Sequence, residues 1–180
     1  MTAYSNQEHF VAETSRLRLR ELQPSDQAAL AEILSDKEVM RFSIGGSYTT
    51  EQTQAFIEAN RSLYRECGFG MWAMETIADG ALIGFCGLSP TKLSGREEIE
   101  LGYRLTPSAW GRGLATEAAD AALTCGFEQC RLDSIIAIVA IDHSASASVA
   151  LKTGMERKKR SQLHGWEVDI YRKYRRPPMS

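Results

Sequence analysis

The stretch "TPSAWGRGLATEAADAAL", residues 106–123, constrains the architecture more than any other in this 180-residue chain. It joins a proline turn to two glycines flanking one arginine, and these to a helix made mostly of alanine. Ala115, Ala118, Ala119, Ala122 and Gly126 recur at helical spacing and leave one face almost without side-chain bulk. Such a face lets the helix lie close on a sheet beneath it.

The glycines admit two readings. Gly111 and Gly113 could simply supply positive φ in a tight turn before a helix. Alternatively, unpaired backbone N–H groups and the helix macrodipole at such a start favour a bound anion, and a diphosphate would fit. In that reading the absent glycine side chains leave the backbone accessible, while Arg112 adds a mobile positive charge. Two nucleotide patterns fit poorly: no lysine follows as in a phosphate-binding P-loop, and Thr116 stands where a dinucleotide fingerprint needs glycine.

The elements around this unit set the fold class. "RLRLREL", Arg16 to Leu22, alternates as a half-buried strand does, and "PSDQAALAEILSD" follows as a short amphipathic helix with Pro24 and Asp26 in its first turn. Thr49 and Gln52 form a capping-box pattern that opens a second helix over about Thr50 to Cys67, ended by Gly68. Three runs, "GFGMWAMETI", "ALIGFCGLSP" and "EEIELGYRLT", separated by Asp79-Gly80 and Ser94-Gly95, predict an antiparallel meander. After the glycine loop come a helix to about Gln129, an apolar strand "SIIAIVAI", a helix from Ser144 to Thr153 and two closing strands, about 155–162 and 166–173. A strand–loop–helix–strand unit within a mostly antiparallel sheet gives a mixed α/β fold, the central sheet flanked by helices.

Length and composition support a single domain over residues 13–176, with tails at 1–12 and 177–180. With 21 basic and 23 acidic residues the chain carries no bulk field to attract nucleic acid or an anionic membrane. Cys67, Cys86, Cys125 and Cys130 show no metal-ligand spacing, so reduced thiols and no metal are expected. No apolar run reaches the length of a membrane span, and the polar first residues do not resemble a signal peptide, which points to the cytoplasm.

Taken together, "ETSRLRLREL", "LSDKEVMRF", "GFGMWAM", "LIGFCGL", "IELGYRLTPSAWGRGLATEA" and "SASASVALKTGM" resemble, in order, the GNAT N-acetyltransferases, in particular the branch of ribosomal-protein N-terminal (alanine/serine) acetyltransferases. The resemblance runs from about Glu13 to Lys173 and implies the GNAT acyl-CoA N-acyltransferase fold, with acetyl-CoA as cosubstrate. It assigns the diphosphate to Gly111, Arg112, Gly113, Leu114, Ala115 and Thr116. It also implies that the strand before the loop splays from the strand after the helix, so that Tyr103, Arg104 and Leu105 meet the pantetheine arm chiefly through their main chains.

Acetyl transfer needs a neutral amine, a stabilised oxyanion and a proton for the departing thiolate. The resemblance makes Glu100 a base, against the alternative of a solvent-facing strand glutamate. A backbone N–H near Gly102 or Tyr103, on a bulged and splayed strand, is the expected oxyanion donor. Ala150 stands where many relatives carry an acidic tyrosine; Ser146 is the substitute, or else an ordinary residue of the first helical turn. His143 replaces the family's asparagine and is expected near the cofactor. The acceptor is a primary amine, on a protein or peptide N-terminus or a small molecule, held by the helix pair and "VMRFSIGGSYTTEQ". A non-catalytic acyl-CoA sensor is the alternative, and a monomer and a homodimer both stay open.

Overall fold

The computed structural model describes residues 10–175. Eight strands form one sheet in the order β1-β2-β3-β4-β5-β6-β8-β7, with every adjacent pair antiparallel except β5 and β6. The strands are β1 (Phe10–Glu13), β2 (Leu17–Glu21), β3 (Met71–Thr76), β4 (Leu82–Leu93), β5 (Arg96–Leu105), β6 (Ser134–Ala140), β7 (Glu156–Leu163) and β8 (Trp166–Tyr174). The helices are α1 (Gln27–Ser35), α2 (Thr50–Cys67), α3 (Leu114–Thr124) and α4 (Ser144–Lys152). This is the expected mixed, mostly antiparallel architecture.

Local chemistry explains most of the boundaries. Thr49 and Gln52 close a reciprocal capping box at the start of α2, and Gly68 ends it in the left-handed conformation. Ser94 and Gly95, both at positive φ, make the tight turn of the β4–β5 hairpin. The small face of α3 packs as its alanines require, with Ala118, Ala119 and Ala122 fully buried against the sheet. The helix continues through a π-turn, Cys125–Gln129.

Two local expectations need correction. Residues 10–12, expected in the N-terminal tail, instead form β1 with Glu13, because Thr14 and Leu17 exchange turn hydrogen bonds that fold the chain back along β2. The tails at 1–9 and 177–180 lie outside the described residues. Arg20, which strand alternation turns outward, is instead buried in a bidentate pair with Asp26 and also bonds Glu75, while Asp26 keeps its expected place in the first turn. Alternation in "RLRLREL" marks Arg20 as outward-facing, but the helices cover that face, and a covered charge must be paired.

The packing is divided by the sheet. One core joins α3 and α4 to Leu101 and Leu105 of β5; the second joins α1 and α2 to Ala73 and Phe85. Successive β5 side chains therefore alternate between two environments.

Candidate functional site

The central geometric event is the parting of β5 and β6. Their parallel pairing is a single bridge, Glu100 opposite Ile136, beyond which the two strands diverge. On its other edge β5 stays in one-to-one register with β4 from Leu105↔Gly84 to Arg96↔Leu93. The expected bulge near Gly102 and Tyr103 is therefore absent: the opening is made by departure of β6, while β5 runs straight.

Two cavities meet along the straight stretch of β5. The first, about 440 Å³, is bounded by Tyr103–Leu105, the loop with Trp110, Gly111 and Gly113, the first residues of α3, and the α4 side with His143 and Ser146. Gly111 and Gly113 sit at φ +71° and +77°, and a Cβ built at Gly111 would meet nothing within 4 Å. The loop backbone is thus bare toward the helix start, as an anion site requires. It is also pinned: Trp110 Nε1 donates to the Leu105 carbonyl at 2.9 Å, and Arg16 bonds both the Arg112 carbonyl and Glu117 of α3. Leu114, Ala115 and Thr116 line this cavity, whereas the Arg112 side chain is exposed and does not.

The second cavity, about 360 Å³, lies on the α1–α2 side and is lined by Phe42, Ser43 and Tyr48, by Glu100 to Arg104, by Ala137 to Ala140 of β6, and by His164 and Trp166 of the β7–β8 turn. Glu100 is half-buried here, not solvent-facing. Burial lifts its carboxyl from the ordinary 4.5 to about 7, although the Arg104 guanidinium and the Thr91 hydroxyl pull it back. Such a carboxyl exchanges a proton readily near neutrality.

Tyr103 points to the opposite face of β5, where its hydroxyl meets Ser146 Oγ at 2.6 Å; either oxygen can donate. Burial pushes the phenol up to about 12 despite the Ser146 bond, so it keeps its proton throughout the neutral range. Tyr103, expected to act chiefly through its main chain, adds this hydroxyl to that role. Strand parity carried the signal, since three residues separate Tyr103 from Glu100 and place the two side chains on opposite faces.

His143 precedes α4 and stacks on Phe42 at 4.1 Å between ring centroids, 14° from parallel. Burial lowers its pKa, and the charges of Arg104 and Arg41 lower it further. The structure thus brings together Glu100, Tyr103, Arg104, His143 and Ser146 and leaves the Arg112 side chain outside. Among the described residues no group of three or more His, Cys, Asp or Glu side chains is placed to hold a metal. No helix among them is long and apolar enough to cross a membrane.

A helix start with bare glycine backbone, a strand edge opened by its neighbour's departure and a second cavity meeting the first make up the site's geometry. The chain belongs to the GNAT acetyltransferase family: the family description "Acetyltransferase (GNAT) domain" matches residues 16–156. It is 31% identical over 159 residues to the uncharacterised protein YkkB of Bacillus subtilis, covering 88% of this chain and 92% of that one. A GNAT-family acetyltransferase from Bacillus anthracis superposes with a TM-score of 0.79 at 28% identity, over 92% of this chain and 98% of that one. The ribosomal L7/L12 α-N-protein acetyltransferase RimL, solved with coenzyme A, shares the fold with a TM-score of 0.78 at 19% identity, over 92% and 98% of the two chains. The protein is an acyltransferase of GNAT type.

Proposed function

We propose that this chain transfers an acetyl group from acetyl-CoA to a primary amine by direct attack in a ternary complex. The observation that carries the proposal is the meeting of the two cavities at Tyr103 and Arg104, just beyond the single β5–β6 bridge at Glu100. Acetyl-CoA supplies an acetyl group activated as a thioester. The bare backbone at Gly111 and Gly113, with the start of α3 behind it, suits the diphosphate, helped by Leu114, Ala115 and Thr116. The Arg112 contribution is its backbone at the loop, with its exposed side chain adding long-range charge only. The β5 edge from Tyr103 to Leu105, whose Tyr103 and Leu105 carbonyls already accept from Arg104 and Trp110, suits an extended amide-bearing arm, and a backbone N–H near Gly102 or Tyr103 serves the developing oxyanion.

Glu100 takes the proton from the incoming ammonium, directly or through water. Its upward displacement suits that role, because a base working near pH 7 needs a conjugate acid of about that pKa. On the other face, Tyr103 Oη and Ser146 Oγ provide a hydrogen-bond donor toward the departing sulfur. His143, held neutral by burial and nearby cations, shapes the wall beside them.

No cysteine lines either cavity among the described residues, and Cys86 is fully buried with its thiol held protonated, which favours direct transfer over an acetyl-cysteine route. Initial rates over a grid of acetyl-CoA and amine concentrations should give intersecting reciprocal plots. Parallel lines, the mark of a covalent acetyl-enzyme, would sink direct transfer. Two acceptor classes suit the cavity. A peptide N-terminus, as the resemblance suggests, needs to insert only its first residues, whereas a small amine of appropriate size can be enclosed entirely.

A further inference from the structure

Arg104 is the charged group that the acetyl-transfer chemistry leaves unused. Its side chain borders both cavities and sits among Ser43, Tyr48, Glu100 and Tyr103. All three of its side-chain nitrogens are engaged, but only by neutral acceptors: Nε and one terminal nitrogen donate to Ser43 Oγ at 3.1 and 2.8 Å, the other to the Tyr103 carbonyl at 2.7 Å. No carboxylate lies within ion-pair distance of it among the described residues.

The contrast with the other well-covered arginines is informative. Arg20 is paired with Asp26 and Glu75, and Arg172 with Glu98. A covered guanidinium without a counter-charge costs the fold several kcal/mol unless something else compensates, and guanidinium does not escape the cost by losing its proton at any ordinary pH. Glu100, four residues back on the same face of β5, is the nearest candidate, but its carboxyl is half-protonated near neutrality and forms no ion pair with Arg104. Besides Glu100, no Asp or Glu among the described residues lines that cavity. Lys92 lies beyond Glu100, opposite Glu97, so Arg104 is a cationic side chain at its own end of the acceptor cavity with no carboxylate beside it.

We infer that the acceptor is a small amino acid-like molecule whose carboxylate pairs with Arg104 while its amine lies at Glu100. This rests on the acetyltransferase reading above and deepens it by naming the acceptor's chemistry. Three of its five N–H groups are used on Ser43 and the Tyr103 carbonyl, so one N–H on each terminal nitrogen is left to donate to a carboxylate that also answers the charge. Ser43 Oγ, already bonded twice by Arg104, belongs to the connecting segment between α1 and α2, so carboxylate binding couples directly to the segment that covers the cavity. An amine without a negative group would leave the arginine as it is now, unpaired.

The test compares acceptors in matched pairs: glycine with glycinamide, β-alanine with β-alaninamide, 4-aminobutyrate with its amide, and L-glutamate with L-glutamine. Thiol release from acetyl-CoA gives kcat/KM for each. In at least one pair the molecule with the additional carboxylate should be preferred by about 10- to 100-fold, the range of a charge-assisted pair. Amidation of the glycine α-carboxylate makes its amine less basic, so the bias in that pair runs against the expected result. Arg104→Gln should bring that ratio close to one, and Arg104→Lys should restore part of it. Both members of a pair share the same acetyl-CoA step, so any change in cofactor binding cancels in the ratio. The wild-type ratio is itself a test and does not depend on a variant that folds. Equal rates within every pair, or a preference that survives in a folded Arg104→Gln protein, overturn the inference. Turnover confined to peptide N-termini or uncharged amines also overturns it while leaving the acetyltransferase reading intact. Coenzyme A binding with no transfer to any amine overturns the reading on which it rests.

Discussion

Replacing Glu100 with glutamine separates what this carboxyl does to the fold from what it does in the reaction. Burial holds it at about 7 in the folded chain, against an ordinary 4.5. A carboxyl whose pKa rises on folding binds its proton more tightly in the native state, so its contribution to stability is complete below 4.5 and is lost as pH rises through about 7. The interval between those values, at about 1.4 kcal/mol per pH unit, corresponds to about 3 kcal/mol at most. Glu100 retains some exposure, and solvent screening brings the expected effect to about 1–2 kcal/mol. Glutamine carries no such penalty. The advantage of Glu100→Gln over wild type should therefore grow between about pH 5 and pH 8 and level off above, read from urea unfolding midpoints at each pH. Turnover should move the other way, falling about 100-fold or more, and the rise of wild-type kcat/KM through about pH 7 should be lost from that range. A stability difference that does not vary with pH would refute the burial argument. A stabilised variant with unchanged turnover and pH profile would leave Glu100 as a destabilising side chain without a catalytic role.

Gly113→Val places a β-branched side chain at φ +77° and fills space at the helix start, so coenzyme A binding should weaken at least about tenfold by calorimetry, with a stability loss of about 1–2 kcal/mol. Normal binding by the folded variant would remove the diphosphate from this loop. Tyr103→Phe breaks the contact with Ser146 and should lower kcat about 10- to 100-fold while the KM for acetyl-CoA changes little. Ser146→Ala should then add little to the Tyr103→Phe variant if the two hydroxyls act as one unit; additive losses would separate them. His143 is already held neutral, so His143→Asn should leave the KM for acetyl-CoA within a few fold, and a collapse of activity would assign the imidazole a catalytic duty.

The parts of the fold legible in the sequence are those written by local chemistry. The capping box at Thr49, the left-handed Gly68, the Ser94-Gly95 turn and the small face of α3 each fix a backbone feature within a few residues. Family order then placed Glu100 and Ser146 in one neighbourhood. What stayed hidden depends on pairings distant in sequence. The strand at residues 10–13 exists because a turn at Thr14 returns the chain onto β2, and the burial of Arg20 depends on helices that cover its face. The straightness of β5 follows from its ladder with β4, which composition does not report. The Tyr103 hydroxyl and Arg104 guanidinium were obscured differently: treating them as main-chain contacts set aside strand parity, which already divides Glu100 and Arg104 from Tyr103.

The central claim, that the two cavities join acetyl-CoA to an amine for direct transfer, is tested most directly by coupling thiol release to product mass. Purified protein given acetyl-CoA and a panel of amino acids, uncharged amines and peptide N-termini should release coenzyme A only when an accepted amine is present, with one N-acetylated product for each thiol freed. Tight acetyl-CoA binding with no acceptor-dependent thiol across that panel would contradict the claim and leave the chain an acyl-CoA sensor.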